Sequence, residues 1–127
     1  MTFVLSMRSR RRMTGVHTDL VRLVEHAIGI STVDFLVLEG LRTPEKQQAL
    51  LAAGASRTLR SRHLTGHAVD LGALVKGELR WDWPLYHQIA AAMKNAARQL
   101  NVPVEWGGDW RTFKDGPHFQ LPWKEYP

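Results

Sequence analysis

The sequence predicts an α+β fold, a small and mostly antiparallel sheet backed by helices. Two segments, 18–30 and 84–100, carry apolar residues at helical spacing. Short β-rich runs lie between and after them, in the order helix, strand, helix, strands, helix, strands.

Each element has its own signal. In 18–30, Leu20, Leu23, Val24 and Ala27 share one face, and Arg22, Glu25 and His26 lie on the other. Residues 33–38 form an apolar β-rich run ending at Glu39-Gly40, which predicts a buried strand. Thr43-Pro44 opens a helix, with Thr as N-cap and Pro at the first helical position. That helix runs through Gln47, Leu50 and Leu51 and stops at Gly54. Residues 67–71 read as a strand with Ala68 and Asp70 on one face and Val69 on the other. Lys76-Gly77-Glu78 is a turn that starts a hairpin. The longest helix, 84–100, is expected to bury Leu85, Ile89, Ala92, Ala96 and Leu100, with Asp82 near its N-terminus where a carboxylate is favoured. Residues 102–106 and 117–121 are expected as short strands around a Gly107-Gly108 turn.

Composition narrows the function. With 127 residues, 44% hydrophobic and 23% charged, the chain is expected to form one domain over 1–127, and wholesale disorder is excluded. It has no cysteine, which removes disulfide scaffolds, thiolate metal sites and thiol nucleophiles. Any metal must use the six histidines or the twelve carboxylates. No apolar run approaches the ~18 residues of a membrane span. The first residues lack a long apolar stretch, and the arginines follow them, so synthesis in the cytoplasm without a signal peptide is expected. The net charge of +5 lies wholly in residues 1–62, which hold ten Lys/Arg against five Asp/Glu; 63–127 balance at seven each. Arg8, Arg10, Arg11, Arg12, Arg57, Arg60 and Arg62 therefore form either a patch for a polyanion or a solvated face.

Two segments place polar residues where a sheet should be apolar. In Ser61-Arg62-His63-Leu64-Thr65-Gly66-His67-Ala68-Val69-Asp70-Leu71, Asp70 falls inside an apolar strand. A carboxylate buried there costs several kcal/mol unless it is paired or bound to a metal. His63 lies seven residues earlier, across a Gly66 that permits a tight bend. In Asp115-Gly116-Pro117-His118-Phe119-Gln120-Leu121, His118 begins a short strand and Asp115 is tethered to it by a Gly-Pro turn. Hydrolytic zinc commonly takes three N/O protein ligands and keeps one position for water. His63, Asp70 and His118 supply that set, and Asp115 is placed to carry the proton.

Ser61-x-His63-x-x-Gly66-x-Ala68-x-Asp70, followed by Asp115-x-x-His118, resembles the zinc peptidases of the D-alanyl-D-alanine carboxypeptidase/dipeptidase group, which cut peptidoglycan stem peptides. Glu39-Gly40-Leu41-Arg42-Thr43-Pro44-Glu45-x-Gln47 is similar to that group's Arg-bearing segment, and Trp106-Gly107-Gly108-Asp109-Trp110 to its lead-in to the last His. The short length and the Trp-Gly-Gly-Asp-Trp run look most like phage endolysins that are L-alanyl-D-glutamate endopeptidases. The resemblance implies the Hedgehog/DD-peptidase fold, Zn²⁺ on His63, Asp70 and His118, Asp115 as general base and Arg42 as the oxyanion partner. Several relatives carry Glu where this chain has Asp115. Peptidoglycan is the implied partner. No nucleic-acid partner is expected, the chain is expected to be a monomer, and it is expected to act on the cell wall after release from the cytoplasm. A D-Ala-D-Ala carboxypeptidase or dipeptidase with the same site, and a zinc-stabilised binding module without activity, are the alternatives.

Neighbouring residues have plainer expectations. Asp70 could instead pair with Arg62 or Arg57, and Asp115 could be a plain turn residue before Gly-Pro. Ser61 is a candidate to orient a ligand or substrate, and Trp106 and Trp110 to wall a substrate cleft. Strand alternation turns His67 away from Asp70, so it is expected not to be a ligand. His87 is expected to be solvated, and His17 and His26 are given no role.

Overall fold

The computed structural model describes residues 2–56, 58 and 60–127; Arg57, one of the expected basic residues, lies outside them. Its helices are α1 (Met7–Arg12), α2 (Thr18–Ile30), α3 (Pro44–Ala52) and α4 (Trp83–Leu100), and its strands β1 (Asp34–Glu39), β2 (Ala68–Val75), β3 (Glu78–Arg80), β4 (Glu105–Trp106) and β5 (His118–Gln120). The strands form one sheet in the order β1-β2-β5-β4, with β3 on β2. Every pairing is antiparallel, as the α+β reading expects.

The core lies between the sheet and two packed helices. Leu20, Leu23, Val24 and Ala27 of α2 meet Ile89, Met93 and Ala96 of α4 over Phe35, Val37, Val69, Leu71, Ala73 and Phe119. On α4, Leu85 and Leu100 are only half-buried, while Tyr86, Ala90 and Ala97 complete the buried face. The odd-numbered positions of β2 therefore face the helices, which turns Asp70 to the opposite side.

The predicted starts and stops hold for α2 and α3. Thr43 caps α3 by accepting from Lys46 N at 3.1 Å, and Pro44 is its first residue. The Lys76-Gly77 turn joins β2 to β3.

Three features differ from expectation. Residues 102–104 are not strand, and β4 is limited to Glu105–Trp106. Strand β2 extends to Val75, because β1 pairs with it from Asp34↔Leu74 onward and β3 pairs Glu78 with Val75. The third difference is α1, which the arginine run conceals. Ser6 caps this helix, and the buried Ser9 hydroxyl accepts from Val37 N at 2.9 Å. Arg12 Nη1 donates to Val37 O at 3.0 Å. Helix α1 thus covers the open edge of β1, which would otherwise present unpaired backbone groups. Part of the basic run is consequently structural.

Candidate active site

Strand pairing and one tight loop assemble the site. In the β2–β5 ladder Asp70 and His118 are direct register partners. A β-bulge between Val37 and Glu39 shifts the β1 register by one, so that Glu39 stands opposite Asp70. His63 arrives on the 3₁₀ turn Arg62–Thr65, which Ser61 caps by accepting from His63 N at 3.2 Å. Gly66 closes that turn at φ +75°, and a Cβ there would stand 2.4 Å from Gly15 O, so both conformation and space require glycine. The His63 carbonyl accepts from Arg42 N at 3.0 Å, which ties the turn to the β1–α3 loop.

His63 and His118 are 2% and 6% exposed, and their rings meet edge-on at 5.1 Å. His63 Nε2 is 3.2 Å and His118 Nδ1 is 3.4 Å from the same Asp70 oxygen, Oδ1. One ligand atom from each of the three residues lies within 4.8 Å of the others. Burial alone would push the Asp70 carboxyl up; hydrogen bonds from His118 and His63 in their protonated forms, and the charge those rings then carry, outweigh it and hold the group far below the usual carboxylate range. Burial would lower His118, but Asp70 beside it raises it overall.

The donor set fits a cation. His63 Nδ1 lies 2.8 Å from the Gly40 carbonyl, which can only accept, so Nδ1 carries the proton. The Nε2 lone pair then faces a carboxylate oxygen, two acceptors that need a proton or a metal between them. Two imidazole nitrogens and one carboxylate oxygen are a common set for zinc with an open position. A ring N–H held by a backbone carbonyl is the usual support for a metal-bound histidine.

The surroundings form a cleft of 640 Å³. His63, Asp70 and His118 line it, together with Ser61, Arg42, Trp110 and Asp115. Asp115 is half-buried; burial, and then the nearby Asp70 charge, push its carboxyl above the usual range. Its backbone is fixed through Asp115 N to Gly107 O at 3.0 Å and His118 N to Asp115 O at 3.3 Å. A Cβ on Gly107 would lie 2.4 Å from Asp115 O, so the Gly-Gly turn is what lets this loop close.

Arg42 is the residue whose position the sequence spacing could not give. Its guanidinium donates to Glu39 through Nε at 3.0 Å and through Nη2, and to Gln47 Oε1 through Nη1 at 2.7 Å. Nη2 is also 3.9 Å from Asp70 Oδ2. Among the described residues, two of its five N–H donors remain uncommitted. Glu39, which also pairs with Lys46, is held below its ordinary value: burial would raise it, but Arg42 and Lys46 outweigh that. Gln47 is 1% exposed and anchors Arg42 on one side and Ser56 Oγ, at 2.8 Å, on the other. Sequence reading passed over Glu39 and Gln47 as site residues. Their one signal in the sequence is their place in the Glu39–Gln47 segment around Arg42; the burial of Gln47 and the register of Glu39 appear only in the fold.

The remaining expectations divide. Trp110 lines the cleft, with its ring 5.1 Å from that of His118. Trp106 does not: it is 4% exposed, stacks on Phe119 and donates Nε1–H to Gly116 O at 2.7 Å. Its place on β4, beside β5, turns it into the core, and the expectation that it walls the cleft is corrected. Arg62 does not pair with Asp70; it is 3% exposed and holds Leu121 O at 3.1 Å with its guanidinium over Trp123. His67 is turned away from the site, against His17 and Tyr126. His87 is exposed, with its ring 5.0 Å from that of Trp106.

The family model described as phage L-alanyl-D-glutamate peptidase matches residues 1–121. The chain belongs to this family. It is 40% identical over 94 residues to the L-alanyl-D-glutamate peptidase of Listeria phage A118, covering 74% of this chain and 32% of that protein. It is 26% identical over 119 residues to the L-alanyl-D-glutamate peptidase of Escherichia phage T5, covering 91% of this chain and 87% of that one. This member of the family thus spans under a third of the first relative and most of the second. The crystal structure of Serratia marcescens L-Ala D-Glu endopeptidase ChiX matches with a TM-score of 0.93 and 51% identity, over 98% of this chain and 94% of that one. The D,D-dipeptidase VanXYg matches at 0.52 and 22% identity, over 84% and 50% of the two chains, and shares the fold. The α+β peptidase fold expected from the motifs is therefore the fold of this family member.

Proposed function

We propose that the protein hydrolyses the L-Ala–D-Glu amide of peptidoglycan stem peptides, using zinc held by His63, Asp70 and His118. The carrying observation is the buried His63–Asp70–His118 cluster, with both imidazoles on one carboxylate oxygen, on the floor of an open cleft beside Asp115. Membership of the phage L-alanyl-D-glutamate peptidase family and the likeness to ChiX support the choice of bond.

Bound zinc would polarise the scissile carbonyl and lower the pKa of a water toward about 7. Asp115 accepts the proton that the attacking water gives up and passes it to the departing D-Glu nitrogen. A carboxyl raised by burial suits both halves of that transfer, because it holds the proton more firmly than an exposed Asp does. Arg42 offers its two uncommitted N–H groups to the oxyanion as its charge develops. Glu39 and Gln47 hold the guanidinium in place, so little reorganisation accompanies the reaction. Trp110 forms one wall for the peptide, and Ser61 sets His63 through the cap on its backbone.

The unit 1–127 acts as one catalytic domain and as a monomer. It degrades the bacterial wall after reaching it, as a phage-type lysis enzyme. Arg8 and Arg11, both exposed, help hold it on the anionic polymer. Among the described residues no helix is long and apolar enough to cross a membrane. The test is metal removal: stripped protein should lose hydrolysis of purified wall and regain it with one equivalent of zinc. Full activity in a verified metal-free preparation would overturn the proposal.

A further inference from the structure

Strand periodicity puts His118 and Gln120 on the same side of β5, and Glu105 of β4 is the register partner of Gln120. The three form a hydrogen-bonded chain leading away from the candidate metal position. His118 Nε2 is 2.7 Å from Gln120 Oε1, and Gln120 Nε2 donates to Glu105 Oε2 at 3.3 Å. A carboxylate only accepts. The Gln120 amide nitrogen must therefore face Glu105, and its oxygen must face His118. The ring proton of neutral His118 then belongs on Nε2, which leaves the Nδ1 lone pair 3.4 Å from Asp70 Oδ1. A reversed amide would set N–H against Nε2, move the ring proton to Nδ1 and point it at the position a metal would take.

The two histidines differ in this respect. His63 is oriented by the Gly40 backbone carbonyl, which has one chemical face. His118 is oriented by an amide that can sit either way round, and Gln120, only 7% exposed, has little water to arbitrate. Glu105 decides between the two orientations from the exposed side.

We propose that Gln120 and Glu105 are positioning residues that hold His118 as its Nε2–H tautomer, with Nδ1 open toward a metal shared with His63 and Asp70. This rests on the metal site proposed above. Two readouts besides activity test it: the His118 tautomer in metal-free protein, by ¹⁵N NMR at a pH where the ring is neutral, and the zinc dissociation constant, by competition with a chromogenic chelator. Wild type should show Nε2–H. Gln120→Leu should mix the tautomers and weaken zinc about 10- to 100-fold, the usual effect of losing a group that orients a metal ligand. Glu105→Leu, a change at an exposed residue, should raise the Nδ1–H population and weaken zinc by at least about threefold. The exchanged pair Gln120→Glu with Glu105→Gln keeps an acceptor on His118 and a donor between the strands, so it should restore the Nε2–H form and bring zinc affinity within about threefold of wild type. A role in packing alone would not be repaired by that exchange. The proposal is overturned if wild-type His118 is Nδ1–H, if Gln120→Leu binds zinc as wild type does, or if the exchange fails to restore affinity. If Gln120→Leu does not fold, Glu105→Leu and the exchanged pair carry the test. Wild type that binds no zinc would defeat the metal site itself, while the NMR tautomer would still report on Gln120 and Glu105.

Discussion

Asp115→Asn separates chemistry from folding. Among the described residues the Asp115 side chain makes no hydrogen bond; the loop is held by the Asp115 backbone and the Gly107 turn. Asn has the same shape and cannot take a proton from water. Loss of a general base typically reduces kcat about 100- to 10,000-fold, or about 2.7–5.4 kcal/mol of barrier. Stability should move the other way. Burial and the Asp70 charge raise the folded pKa of Asp115 above its ordinary 3.8. The folded state therefore binds this proton more tightly than the unfolded chain, and stability falls as pH rises from that ordinary value through the folded pKa. Asn removes the burden, so metal-free Asp115→Asn should melt at or above the wild-type temperature at pH 7, while release of new amines from purified peptidoglycan collapses. Activity above about a tenth of wild type would make Asp115 a turn residue. A lowered melting temperature matching the lost activity would assign it a structural role instead.

Three further expectations follow from the same geometry. His63→Ala should lose stoichiometric zinc, measured by metal analysis after dialysis, whereas His67→Ala, at a residue turned toward His17 and Tyr126, should retain it; loss in both would contradict the assignment. Arg42→Ala should lower kcat more than it raises KM, since the uncommitted N–H groups act on charge that develops late; a pure KM effect would make Arg42 a ground-state contact. Arg8→Gln with Arg11→Gln should weaken wall binding at low salt and leave hydrolysis of a small soluble peptide unchanged. Arg12→Gln, in contrast, should lower the melting temperature because it gives up the bond to Val37 O; the opposite pattern would exchange the roles of these arginines.

The His63–Asp70–His118 cluster was legible because metal chemistry restricts residue type and spacing together. A carboxylate inside the Ala68–Val75 strand and a histidine opening His118–Gln120 are conspicuous against apolar neighbours. The helices α2 and α4 were legible from period, and α3 from the Thr43-Pro44 start. Helix α1 was hidden because its stabilising contacts are polar and distant: Ser9 and Arg12 both reach Val37, 28 and 25 residues away, and no apolar period marks them. Trp106 was misjudged because β4 is two residues long, too short to reveal which face its side chain takes. Glu39 escaped notice because its place opposite Asp70 depends on a bulge, a register change no sequence period records. Arg42 was known only by resemblance, since its approach to Asp70 needs the β1–α3 loop and the His63 turn to be joined.

The most direct measurement is mass spectrometry of peptidoglycan digested with the zinc-loaded protein. Hydrolysis at L-Ala–D-Glu predicts sugar-linked fragments ending in L-Ala, together with peptides bearing a new amine on glutamate or isoglutamine, and none of these products with Asp115→Asn. Release of free D-Ala with the L-Ala–D-Glu bond intact would contradict the assigned bond and leave the His63–Asp70–His118 site to a carboxypeptidase or dipeptidase. No cleavage of any stem peptide by zinc-loaded protein would contradict catalysis altogether.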